Sequence, residues 1–161
     1  MRDATSTNSV GFLVNGNRVE ISPNPGERLS QTLRERLGQR DVKIGCGAGD
    51  CGACSVLVDG ETMCACLVAT HQVRDREVET LKGLVAEDSI TKDLTERFQD
   101  HGAAQCGICT PGMLVSATAL LRDTPKPTEQ QVQDALGGVL CRCTGYRKII
   151  DAVMAAPAAP D

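Results

Sequence analysis

The chain has 161 residues, 17 Lys and Arg against 21 Asp and Glu for a formal net charge of −4, and only 2% aromatic residues. A chain of this length folds as one ordinary domain or as two small ones with thin cores, and with no Trp those cores must rest on Leu, Val, Ile, Ala and Met. The mildly acidic balance, without a basic cluster or stacking rings, argues against a nucleic-acid partner, and no apolar run approaches the ~18 residues of a membrane span.

The leading segment, Met1–Ser9, is polar, with no apolar stretch, twin arginine or small-residue cleavage site. Nothing there directs export, so a cytoplasmic location is expected. Residues 10–14 read as a strand, Asn15-Gly16 as a hairpin turn and Arg18–Ile21 as the returning strand. Leu29, Leu33 and Leu37 recur every four residues, and Gly38 follows at a helix-ending position, which predicts a helix over Arg28–Leu37. Beyond a glycine-rich cysteine loop, Ser55–Val58 and Met63–Val68 read as strands joined at Asp59-Gly60, with Val73–Val78 as a further short strand. Strands around one helix predict an α+β unit.

From Ser89 the period becomes helical. Leu94 and Phe98 share a face, Thr110-Pro111 opens a run through Leu121, Thr128 and Gln131 form a capping box before Val132 and Leu136, and Tyr146, Ile149, Ile150 and Val153 make a fourth stripe. The second half is therefore expected to be a small helical bundle, with the boundary near Gly83–Glu87 and a disordered Ala/Pro tail over Ala155–Asp161.

Nine cysteines are the anomaly. A reducing compartment disfavours structural disulfides, and an odd count leaves one thiol over, so metal ligation is the leading account. The first set runs Cys46-x4-Cys51-x2-Cys54 and then Cys66 after eleven intervening residues, the plant-type [2Fe–2S] spacing. Three ligands from one loop require a backbone that curls around the cluster, and Gly45, Gly47, Gly49 and Gly52 allow positive φ and close N–H approach to sulfur. Such donors would stabilise the anionic cluster, with Cys66 closing the site from a strand. Cys64, two residues earlier on the same strand face, is an alternative fourth ligand on spacing alone.

The second set is Cys106-x2-Cys109, thirty-one residues, then Cys141-x-Cys143, two close pairs beside two helix starts whose free N–H groups and positive dipole ends suit an anionic core. Thr110-Pro111 and Thr144-Gly145 follow the pairs as expected caps. Competing readings fit less well. Zinc knuckles use C-x2-C pairs but rarely three cysteines at x4 and x2 among glycines. Neither C-x2-C pair follows a strand in a clear βαβ unit, as a thioredoxin-like pair would, and neither is followed by the His of a c-type haem site. His71 and His101 lie outside any C-x-H pair of a Rieske centre, and the glycine loop lacks the Lys-Ser/Thr ending of a phosphate cradle.

Taken together, Gly45-Cys46-Gly47-Ala48-Gly49-Asp50-Cys51-Gly52-Ala53-Cys54, then Gln105-Cys106-Gly107-Ile108-Cys109-Thr110-Pro111-Gly112, then Cys141-Arg142-Cys143-Thr144-Gly145-Tyr146, resembles the small iron–sulfur subunit of the molybdenum hydroxylases, the xanthine dehydrogenase, aldehyde oxidoreductase and carbon monoxide dehydrogenase family. The resemblance spans about residues 10–154. It implies a plant-ferredoxin-like β-grasp domain over 10–84 and a four-helix bundle over 85–154, each with one [2Fe–2S] cluster, on Cys46, Cys51, Cys54 and Cys66 and on Cys106, Cys109, Cys141 and Cys143. It also implies that Gln105 and Cys143 lie beside a molybdopterin-type molybdenum cofactor in a large partner subunit, and that electrons pass on to FAD in a medium subunit, in a heterotrimer. A free-standing two-cluster ferredoxin is the alternative, which the second domain and the modest charge disfavour.

Overall fold

In the computed structural model, which describes residues 9–156, the chain opens on the hairpin read from sequence, β1 (Val10–Val14) and β2 (Asn17–Ile21), in a register that pairs Val10 with Ile21 and Val14 with Asn17. Asn15 and Gly16, at φ 51° and 75°, supply the two left-handed residues of the tight turn. Alternation puts Val10, Phe12 and Val14 into the core, where a fully buried side chain of this size contributes about 1.5–3 kcal/mol.

The Arg28–Leu37 segment is helical but not uniformly α: α1 covers Leu29–Gln31 and a π-helical turn covers Thr32–Arg36, closed by Leu37 N–H on the Thr32 carbonyl at 3.0 Å. Leu29 and Leu33 stay fully buried. The wide turn begins at buried Thr32, whose hydroxyl lies 2.6 Å from Glu27 Oε1 and 2.8 Å from Thr70 Oγ1, local bonding of the kind that competes with a regular helical ladder. Those hydroxyl and Arg36 contacts hold Glu27 below the ordinary carboxylate range against the opposing effect of burial.

β3 (Ser55–Val58) and β4 (Glu61–Cys64) form the second hairpin around Asp59-Gly60. The expected strand Met63–Val68 stops at Cys64, because the backbone beyond it is committed elsewhere. The Ala65 and Val68 carbonyls take the N–H groups of Ser30 and Leu29, and Cys66 N–H points at Cys54 Sγ. Likewise Val73–Val78 is not one strand: a 3₁₀ turn over Thr70–Val73 and left-handed Asp75 precede β5 (Glu77–Glu79). The sheet order is β2-β1-β5-β3-β4, with β5 parallel to β1 and antiparallel to β3.

The expected boundary at Gly83–Glu87 lies inside a helix, α2 (Leu81–Glu87). Asn15 clamps its start, accepting Thr80 N–H at 2.8 Å and donating to Thr80 Oγ1 at 3.1 Å, and Gly83 leaves room for the Asn15 side chain. Then come α3 (Ser89–Asp100), α4 (Thr110–Asp123), α5 (Glu129–Leu136) and α6 (Arg147–Met154). Asp88 caps α3 through Thr91 N–H, and the Thr128–Gln131 box caps α5 as read from sequence. The other two expected caps differ: the residue before α4 is Cys109 and before α6 is Tyr146, neither with a side-chain cap bond. α3 and α5 both pack against α4 and α6, burying Leu94, Phe98, Met113, Leu121, Leu136 and Ile149 between them.

The two halves meet where Leu57 of β3, Leu84 of α2 and Val115 of α4 bury one another. Arg122 reinforces the junction, gripping Glu79 through both Nη atoms at 3.1 and 3.2 Å and Asp88 through Nε at 2.8 Å. Among the described residues no helix is long and apolar enough to cross a membrane. The tail expected to be disordered lies, beyond Ala156, outside the described residues.

Candidate metal centres

The loop between the π-helical turn and β3 carries Cys46, Cys51 and Cys54, and Cys66 reaches them from the turn after β4, not from a strand. Cys46 is exposed, whereas Cys54 and Cys66 are buried. The N–H groups of Ala48 and Cys51 point at Cys46 Sγ at 3.3 and 3.4 Å, and Cys66 N–H points at Cys54 Sγ at 3.4 Å. Those of Ala48 and Cys51 hold the Cys46 thiol down at about 7, a site already shaped for a thiolate. Burial has the opposite effect on Cys54, pushed up to about 12, so its thiolate requires a cation beside it.

The loop glycines divide their work differently from the sequence reading. Gly47, Gly49 and Gly52 do take positive φ, but Gly45 does not; an added Cβ there would sit 2.8 Å from Cys51 Sγ, so its contribution is room for sulfur. The Arg28 guanidinium bonds the Gly47 carbonyl and ties the loop to the start of α1. Cys64, at the end of β4, is half-buried with Sγ 3.9 Å from the Gly49 carbonyl. Because the strand ends there, Cys64 and Cys66 do not share a strand face.

The second set assembles at the starts of α4 and α6. Cys109 is buried, Cys141 half-buried, and Cys106 and Cys143 are exposed with sulfurs 3.5 Å apart. Burial, with Cys141 as neighbour, drives the Cys109 thiol up to about 12, while the Ile108 N–H lowers that of Cys106. Gln105 lies over the exposed edge, its Nε2 donating to the Cys143 carbonyl at 3.2 Å, so the structure does bring Gln105 and Cys143 together. His71 lies in the 3₁₀ turn over Thr70–Val73, and His101 closes α3 with its ring on the Arg97 carbonyl at 2.9 Å. A [2Fe–2S] core shares four thiolates between two irons. Buried thiols, thiolate-directed N–H groups and space at Gly45 all fit such a core.

One connection was not anticipated from sequence. Leu140 N–H donates to the Cys51 carbonyl at 2.9 Å, so the residue before Cys141 is bonded to a cysteine of the other set. The approach requires Gly52, at φ 63°: a Cβ there would collide with the Gly138 carbonyl and lie 3.0 Å from Val139 Cα, and a Cβ on Gly112 would collide with the Gly52 carbonyl. Gly112 and the Gly137-Gly138 pair were the available signal.

Residues 12–85 match the family model described as 2Fe-2S iron-sulfur cluster binding domain, and residues 80–154 match the [2Fe-2S] binding domain. The nicotinate dehydrogenase small FeS subunit of Eubacterium barkeri is 43% identical over 145 residues, covering 90% of this chain and 92% of its own. The chain belongs to the small iron–sulfur subunits of the molybdenum hydroxylases. Another of these small subunits, that of nicotine 6-hydroxylase from Paenarthrobacter nicotinovorans, is 43% identical over 89% of this chain and 86% of its own. A chain of quinoline 2-oxidoreductase from Pseudomonas putida 86 superposes with a TM-score of 0.86 at 38% identity, covering 91% of this chain and 90% of its own. The small subunits of this family carry electrons for an oxidoreductase and are not its catalytic chain.

Proposed function

We propose that residues 10–84, a plant-ferredoxin-like β-grasp domain, and residues 85–154, a four-helix bundle, each hold one [2Fe–2S] cluster and together conduct single electrons between two larger subunits. Cys46, Cys51, Cys54 and Cys66 hold the first cluster, and Cys106, Cys109, Cys141 and Cys143 the second. When bound, each cluster supplies a one-electron couple; the chain supplies thiolates, N–H donors and a fixed spacing. Exposed Cys106, Cys143 and Gln105 face a large subunit carrying a molybdopterin-type molybdenum cofactor, and exposed Cys46 faces a medium subunit carrying FAD. Electrons enter at the helical cluster and leave from the other, within a cytoplasmic heterotrimer.

The observation that supports this reading is the hydrogen bond from Leu140 to Cys51, which ties the segment leading to Cys141 to the loop that carries Cys51 through backbone alone. Its test is composition: the isolated protein should contain about four iron and about four acid-labile sulfide per chain, since each Cys₄ cluster holds two of each. Stoichiometric zinc, or half that iron, would defeat it.

The ligand choice has its own test. Cys66 is buried with its N–H on Cys54 Sγ, while Cys64, also close to Cys54, is only half-buried with its Sγ 3.9 Å from the Gly49 carbonyl. Cys64→Ser should therefore retain both clusters by EPR, and Cys66→Ser should lose the first. The reverse pattern of iron loss would assign the fourth position to Cys64.

A further inference from the structure

Tyr146, the only tyrosine, sits in the left-handed region at φ 67°, a conformation that costs a residue with a Cβ and persists where its surroundings impose it. Its neighbours do impose it. The phenol oxygen accepts Cys141 N–H at 2.9 Å and donates to the Val139 carbonyl at 3.2 Å, while the Tyr146 carbonyl receives Ile150 N–H as α6 begins. Tyr146 N–H donates to Thr144 Oγ1 at 3.2 Å, and that same hydroxyl lies 3.1 Å from Cys141 Sγ. Having accepted from Tyr146, the Thr144 hydroxyl has its own proton free for the sulfur, and a ligating thiolate, which carries no proton, can only accept it.

We infer that Tyr146 is a positioning residue for the helical cluster: its phenol fixes the backbone of Cys141, and its left-handed backbone aims the Thr144 hydroxyl at the Cys141 sulfur. The inference rests on the reading that Cys141 is a cluster ligand. It adds that this one sulfur receives a side-chain hydrogen bond whose geometry Tyr146 sets, and that the same phenol holds Val139 and Cys141, on either side of the Leu140 that bonds Cys51. Hydrogen bonds to cluster sulfurs raise the reduction potential, and groups that orient ligands are worth roughly 10–100-fold in metal retention.

The test uses the full chain in its native complex and reads each cluster separately, by EPR-monitored redox titration and by iron release to a chelator. Tyr146→Phe removes the two phenol bonds but keeps the ring, which packs against the core cluster that includes Leu136 and Ile150. It should release iron from the helical cluster about ten-fold faster and move that cluster's midpoint potential, leaving the other cluster unchanged. Thr144→Val should lower the same potential by removing the donor to sulfur, and it decides the matter if Tyr146→Phe does not accumulate. Unchanged potential and iron release in the folded variants overturns the inference, as does an equal weakening of both clusters, the mark of a merely structural residue. If Cys141→Ala leaves both cluster signals intact, the underlying ligand assignment fails instead.

Discussion

Cys51→Ala should leave the helical cluster reducible by substrate while onward transfer to flavin stalls, and Cys141→Ala should block substrate-driven reduction of either cluster without preventing substrate binding to the large subunit. Cys51 and Cys141 belong to different cysteine sets, so on the proposed assignment each change removes a ligand from one cluster and spares the other. Cys51 also provides the carbonyl that meets Leu140 N–H, but a backbone carbonyl survives the substitution, so the effect reports the lost ligand. Rapid mixing with freeze-quench EPR on assembled complexes separates the two cases, and the expected loss of flavin reduction is several orders of magnitude, because removing a ligand would interrupt the proposed route. If Cys51→Ala abolished all cluster reduction while Cys141→Ala preserved it, the proposed direction would be reversed.

Gly52→Ala carries the second large effect, and Gly60→Ala is its control. Both glycines have positive φ, 63° and 85°, so both variants lose the conformational ease of glycine, about 1 kcal/mol. At Gly60 nothing lies within 4 Å of the added methyl, and the cost should end there. At Gly52 the methyl meets the Gly138 carbonyl and the Val139 backbone, which cannot rotate away as a side-chain tip could. Overpacking of this kind adds about 1–3 kcal/mol or more, a large share of a typical total stability of about 5–15 kcal/mol. Denaturant titration should show the midpoint falling much further for Gly52→Ala than for Gly60→Ala, together with weaker magnetic coupling between the clusters. Equal shifts in the two variants would mean that the seam between the halves yields more readily than its packing indicates.

What was legible in the sequence is local chemistry. Asn15-Gly16 and Asp59-Gly60 specify tight turns by themselves, Leu29 and Leu33 specify one buried stripe, and the Thr128–Gln131 box is complete within four residues. The cysteine spacings are legible for the same reason, since three members of the first set share one loop. Where the reading failed, the deciding partner was distant. The strand through Cys66 ended early because Ser30, Leu29 and Cys54 take its hydrogen bonds. The helix α2, which the sequence reading did not single out, is held by burial of Leu84 against Leu57 and Val115 and by Asn15 at its start. Nor does spacing announce that Gly52 touches Gly138, or that the one phenol reaches back to Cys141.

The N–H groups of Ala48 and Cys51 face Cys46 sulfur from a loop that Arg28 fastens to the start of α1, and Cys66 N–H faces Cys54 from a buried turn. Dipoles held in this way do not have to swing round when the charge beside them changes by one electron, and protein dipoles fixed in advance avoid the reorientation that water would undergo. For a cluster held as proposed, the reorganisation energy is accordingly expected to be small. Small reorganisation lets an electron hop rapidly with little driving force, so the two centres can have nearly equal potentials and still pass charge in either direction. On the proposed route, the direction of flow would then be set by the donor and acceptor at its two ends, without a downhill step within this subunit.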